Sequence, residues 1–189
     1  MLGAGGLAEA FGRLRDAGVV RFVGVSAYGG EMPAVAEVID SGMFDCLSVH
    51  YSLLNPTAWM QMRPPPGQDD YAGIGARAAE AGMGVIALRV LEAGRLAGGD
   101  PDTAMQSADA AAHAPVVLLK DFADSQLTMT ETAVRYALSR AGVTSALIGI
   151  SNVAQADAAA AWASQGVLPE AVLSRITDWQ IAARREGSA

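Results

Sequence analysis

The sequence predicts an α/β fold built on a parallel sheet, and three observations carry that expectation. Helix-like and strand-like segments alternate in the order α-β-α-β-α-β-α-β-α-α, the pattern of strands joined by helical crossovers. The stretch Gly18-Val-Val-Arg-Phe-Val-Gly-Val-Ser26 is apolar with little interruption, as suits a strand covered on both faces. Gly18, Gly42, Gly82 and Gly142 each stand between a helical pattern and the strand that follows, where a helix end favours a left-handed residue. Two architectures fit: an open doubly wound sheet, or part of a (βα)8 barrel. No Gly-x-Gly-x-x-Gly follows any strand, and the glycine-rich segment 3–6 precedes the first one, which argues against a nucleotide-binding open sheet.

Each element has its own signal. Residues 6–17 carry Leu7, Ala10, Phe11 and Leu14 at helical spacing and stop at Gly18. A strand over 19–26 follows. Residues 31–39 form a second helix, closed by Ser41-Gly42, and lead into a strand over 44–51. Asn55-Pro56 and the proline-rich segment 63–67 interrupt the pattern as loops. Asp69 and Asp70 open a third helix that runs to Ala81, and a strand over 84–89 comes directly after Gly82-Met83. A glycine-rich turn spans 92–99. One or two short helices are expected within 100–124, the second starting at Pro115. Thr128-Met-Thr-Glu131 reads as a capping box for a helix to about Arg140. A fourth strand covers 145–150, Ser151 or Asn152 caps the next helix, and a last helix covers 168–184.

Composition narrows the function classes. The 189 residues are enough for a single domain with a real core, and 51% are apolar. Mean hydropathy is +0.25, so disorder is not expected. A formal charge of −7 and a pI near 4.7 argue against nucleic acid as a partner, because phosphate binding needs a basic surface. No charge-free run of about 18 apolar residues predicts a membrane span, and the first residues do not read as a secretory signal. Cys46 is the only cysteine, which fits a reducing, cytoplasmic setting and a core position. His50 and His113 lack neighbouring ligand types, so no metal site is predicted.

Four stretches carry a family resemblance. Leu14-Arg-Asp-Ala-Gly-Val-Val-Arg-Phe-Val-Gly-Val-Ser26 resembles the segment of aldo-keto reductases that holds their fifth barrel strand. Phe44-Asp-Cys-Leu-Ser-Val-His-Tyr-Ser-Leu-Leu-Asn55 is similar to the sixth, and Gly82-Met-Gly-Val-Ile-Ala-Leu-Arg-Val-Leu-Glu-Ala-Gly-Arg-Leu96 to the seventh with its loop. Gly142-Val-Thr-Ser-Ala-Leu-Ile-Gly-Ile-Ser-Asn-Val-Ala-Gln155 is similar to the eighth with the helix start that follows. The resemblance implies a partial (βα)8 barrel of four C-terminal βα units, one domain over 1–189 with the N-terminal half of the barrel absent. It also implies an NADPH- or NADH-dependent oxidoreductase that reduces a small-molecule carbonyl, or oxidises the alcohol in reverse.

The implied site is a cofactor site. Ser26 matches the serine that holds the nicotinamide carboxamide, beside Ala27 where the family usually has asparagine. Ser48 stands at the usual glutamine position of strand six, Leu88 at that of a stacking tyrosine, and Arg89 in place of a serine near the pyrophosphate. Leu91 and Gly94 align with the loop that wraps the pyrophosphate. Gly149, Ser151 and Gln155 align with the segment that holds the adenosine phosphate at a helix N-terminus. The Glu-Asn pair that many members set against adenine is Ala158-Ala159 here, which implies cofactor binding weaker than the family norm. No catalytic residue carries over, because the family's aspartate, tyrosine, lysine and histidine lie on the first four strands. Tyr28 and Tyr51 are the tempting proton donors, yet the sole lysine, Lys120, is far from both in sequence. His50 is expected in the core or at the rim, and Trp59, Trp162 and Trp179 in packing. Four barrel strands leave two open edges, so a complementary half-barrel or self-association is the expected partner. The alternative reading is a non-catalytic nucleotide-binding or assembly module that docks on another chain.

Overall fold

The computed structural model describes residues 2–3, 5–29, 31–65, 67–97 and 127–186. The helices expected within 100–124 and the residues His113 and Lys120 lie outside these. In chain order the described elements are α1 (Leu7–Asp16), β1 (Gly24–Ser26), α2 (Met32–Asp40), β2 (Cys46–His50), α3 (Ile74–Glu80) and β3 (Gly84–Leu88). A short turn at Glu92–Gly94 follows, then α4 (Met129–Ser139), β4 (Val143–Ala146), α5 (Val153–Ser164) and α6 (Glu170–Glu186).

The four strands form one parallel sheet in the order β1-β2-β3-β4. Spatial order therefore equals chain order, with no reversal. Since parallel crossovers are right-handed, this order puts the connecting helices on one face. Side-chain alternation shows which face it is. Leu47, Val49, Val85 and Ala87 are fully buried among Val35, Ile39, Ile74, Ala78 and Ala133 from the helices. On the opposite face Ser26 is exposed, and Cys46, Ser48, Ile86 and Leu88 are only half-buried. Cys46 was expected in the core; its parity on β2 turns it to the open face instead.

Several boundaries differ from the sequence expectation, each for a local reason. The first strand is limited to Gly24–Ser26. The amides of Val19 and Val20 fold back on the Leu14 carbonyl at the end of α1, and the Val23 amide is taken by the Asp45 carboxylate at 2.7 Å. Helix α3 starts at Ile74 because Ala72 and Gly73 both have left-handed φ, and Asp70 Oδ1 takes the Ala72 amide at 2.8 Å. Strand β4 is shifted toward its N-terminal side by a bulge opposite Val85 and Ile86. Half of the expected capping box forms. Thr128 Oγ1 accepts from the Glu131 amide at 3.1 Å, while the Glu131 carboxylate pairs with Arg135 at 2.9 Å. A guanidinium one turn on is a stronger, charge-assisted partner than a backbone amide.

Candidate functional site

The C-terminal ends of the strands bring several of the expected residues to one rim, where parallel α/β sheets gather ligands. Ser26 and Ser48 are direct register partners on β1 and β2, and Ile86 and Ser145 continue that level across the sheet. The Ser26 hydroxyl accepts the Tyr28 amide at 3.3 Å, which leaves its own O–H to donate. Beyond β3 the chain turns sharply. Arg89, Glu92 and Ala93 all take left-handed φ, at 57°, 50° and 56°, a conformation that non-glycine residues hold only where surroundings enforce it. Arg89 Nη2 donates to the Tyr28 hydroxyl at 2.8 Å, and its guanidinium lies 5.3 Å from that ring's centre. The loops after β1 and β3 are thus joined above Ser26. No carboxylate among the described residues pairs with Arg89.

Beneath this rim lies a buried polar cluster that the sequence did not reveal. Glu92 is 3% exposed, and four side chains surround its carboxylate. His50 Nε2 lies 2.7 Å from Oε1, and the Ser52 hydroxyl donates to the same oxygen. Arg95 Nη2 reaches Oε2 at 2.7 Å and Gln68 Nε2 at 3.3 Å. Burial alone raises a carboxyl pKa. Here the His50 and Ser52 hydrogen bonds and the Arg95 charge outweigh it and hold Glu92 below the usual carboxylate range. With Glu92 ionised, only acceptors remain on it, so Nε2 of His50 carries the shared proton. The Tyr71 ring packs on His50 with centroids 5.4 Å apart. Burial and the neighbouring Asp69 charge push its phenol up to about 12, so it holds its proton firmly at neutral pH.

Tyr51, considered above as a proton donor, lies on the helix-covered side. It is fully buried between Trp59 and Tyr136, and its hydroxyl takes Arg140 Nε at 3.0 Å. Burial and Tyr136 raise its pKa well above the ordinary value, which makes it a poor acid.

After β4, Gly149, Ser151 and Gln155 sit exposed at the start of α5. Asn152 is the cap, its Oδ1 accepting the Gln155 amide at 3.0 Å. Gln155 Oε1 in turn accepts the amide and hydroxyl of Ser151, at 2.8 and 2.9 Å. Of the expected phosphate-binding residues, Ser151 and Gln155 thus bond to each other, and Gly149 takes no part in this cluster.

A profile of the aldo/keto reductase family matches residues 7–181. This chain belongs to that family. It is similar in fold to an aldo-keto reductase, AKR11C1 from Bacillus halodurans, in its holo form, with a TM-score of 0.72 and 19% identity over 91% of this chain and 54% of the other. The apo form gives a TM-score of 0.71 at 19% identity, over 91% of this chain and 55% of that one. The chain spans about half the length of these solved reductases. No curated protein sequence matches it. No described helix of this family member is long and apolar enough to cross a membrane.

The missed residues of this family member are Tyr28 as the partner of Arg89, and Glu92 as the centre of its cluster. Tyr28 and Arg89 are 61 residues apart, and nothing in either stretch signals the other. A glutamate after an apolar strand does signal something, because burying it alone is costly. That signal marks a partnered carboxylate without naming its partners.

Proposed function

We propose that this chain is the C-terminal, cofactor-binding half of an aldo-keto reductase barrel, carrying strands five to eight of a (βα)8 fold. The reaction it serves is hydride transfer between NADPH or NADH and a small carbonyl compound or its alcohol. The in-order parallel sheet is the observation that carries this reading, since it sets Ser26 beside Ser48 and joins Arg89 to the same rim. The cofactor supplies the hydride, and the protein's part is to bind and orient it. Ser26 would hold the carboxamide through its free O–H. Arg89 would face the diphosphate with the guanidinium donors that Tyr28 leaves open. Leu91, Gly94 and the start of α5 at Gly149, Ser151 and Gln155 would complete the cradle, and Ser48 would flank the carboxamide.

No catalytic acid is assigned to this half. Titration of the 189-residue chain with NADH and NADPH by fluorescence, beside a carbonyl-reduction assay, tests the reading. Binding without turnover is expected. Turnover by the chain alone would refute the view that the proton donor lies elsewhere, and absence of any binding by a chain shown to be folded would refute the cofactor role.

A second reading has its own observation. Val19 and Phe22 before β1 are each 68% exposed, and Leu147, Ile150 and Val153 beyond β4 are also exposed. Large apolar side chains therefore flank both edges of the sheet, which are open among the described residues, as at an interaction surface. They support a docking module whose partner is a complementary half-barrel or a second copy.

A further inference from the structure

We infer that Glu92 is a positioning residue for the cofactor diphosphate, clamping the 89–96 loop in the left-handed conformation that presents Arg89 beside Tyr28 and Ser26. The inference rests on the proposed cofactor role of that loop. Its geometry stands by itself: one buried carboxylate collects donors from three separate places. His50 and Ser52 come from the end of β2, Gln68 from the loop before α3, and Arg95 from the loop's own far side.

The backbone explains why such a clamp is needed. The Glu92 amide donates to the Arg89 carbonyl at 2.8 Å, and the Leu96 amide to the Leu91 carbonyl at 3.2 Å. These bonds close the loop on itself; buried Val90 and Leu96, with Thr130 Oγ1 donating to the Leu96 carbonyl at 3.1 Å, hold its ends but not the turn between them. Three non-glycine residues in left-handed φ each cost conformational energy, so a free loop would relax. Glu92 opposes that relaxation from inside. Arg95, on the other side of Gly94, is drawn to the same carboxylate, which ties both ends of the turn to β2. Arg89 is outside the cluster, so Glu92 acts on the cofactor only through backbone placement. Charge matters as well as shape, because four donors converge on two oxygens. A neutral amide at this position would meet either His50 or Arg95 with a donor of its own.

The test is E92Q, compared with the parent chain on two ligands. In the proposed site NADH would span the rim and the start of α5. Adenosine 5′-monophosphate lacks both the diphosphate and the nicotinamide. E92Q is expected to weaken NADH by about tenfold while leaving adenosine monophosphate within about twofold. Amide exchange read by mass spectrometry is expected to rise about tenfold across 91–96 and stay unchanged in β2 and β3. Equal NADH affinity in both proteins would overturn the inference, as would an equal loss for both ligands, the mark of general destabilisation. If the parent chain binds no nucleotide, the cofactor reading falls. The exchange data then still decide the clamp: unchanged protection of 91–96 in E92Q removes it. Should E92Q fail to fold, S52A keeps the charge and removes one donor. It is expected to shift the NADH-to-monophosphate ratio about threefold in the same direction, and an unchanged ratio overturns the inference.

Discussion

At Ser151, Asn152 and Gln155 the side chains close the start of α5 on themselves, and this has a consequence for cofactor choice. NADPH differs from NADH by a 2′-phosphate that needs donors and positive charge. No lysine or arginine occurs anywhere in 143–162, and the Ser151 hydroxyl and the Ser151 and Gln155 amides are already engaged. The helix end offers its partial charge and neutral side-chain amides, but no cation. NADPH is therefore expected to bind no tighter than NADH. Fluorescence titration of both checks this, and an advantage of about tenfold for NADPH would contradict it. Glu92 leads to a second prediction at this scale. Its folded pKa lies below the ordinary value of 4.5, so the folded state holds its proton less readily than the unfolded chain. The stabilisation it gives is complete above that ordinary value and is lost as pH falls through the lowered one. Acid denaturation followed by circular dichroism should show a smaller loss of stability below pH 4.5 in E92Q than in the parent.

Among the elements, α4 is tied to its neighbours through one buried arginine. Arg135, 9% exposed at its side chain, pairs with Glu131 on the same helix. It also donates to the Gly166 and Val167 carbonyls and to Gln165 Oε1, across the junction between α5 and α6. One guanidinium thus satisfies a buried carboxylate and three acceptors. Removing it leaves Glu131 buried without its cation. Arg135→Ala is expected to cost about 3 kcal/mol, read as a lower urea midpoint with an unchanged slope. A loss below about 0.5 kcal/mol would mean that Glu131 is rescued by water. Helix α6 is tied to the loop after β2 in a similar way. Gln180 Nε2 donates to the Leu53 carbonyl at 2.7 Å, and Arg184 Nη2 to that of Leu54 at 2.8 Å.

For the whole molecule, the deciding fact is an uneven sheet. One face is closed by helices, while the other keeps Ser26, Cys46, Ser48, Ile86 and Leu88 at least partly open. Both edges of the sheet are free among the described residues. Val153 is 76% exposed, and Phe22 stands near the opposite edge. A solitary chain with this surface is expected to associate, so light scattering should give a mass above 19.4 kDa that grows with concentration. Replacing Phe22 and Val153 together with aspartate should return it toward the monomer. A concentration-independent monomer in the parent chain would show that the open face needs no partner.

The order of elements, the parallel sheet and the family segments were all legible in the sequence. They rest on short-range signals, namely apolar periodicity, glycine at helix ends and turn residues, which act within a few residues. The edges of elements were less legible, because side chains from elsewhere decide them. Asp45 captures the Val23 amide and shortens β1, and Arg135 draws Glu131 away from its cap. The rim shows the same division. The sequence proposes Ser26 and Arg89 separately, and only the tertiary structure joins Arg89 to Tyr28. Likewise a glutamate at 92 is visible in the chain, but its meaning comes from His50, Ser52, Gln68 and Arg95 meeting around it. Hydrogen-bond partners tens of residues apart leave no periodic trace, and the fold alone brings them within reach.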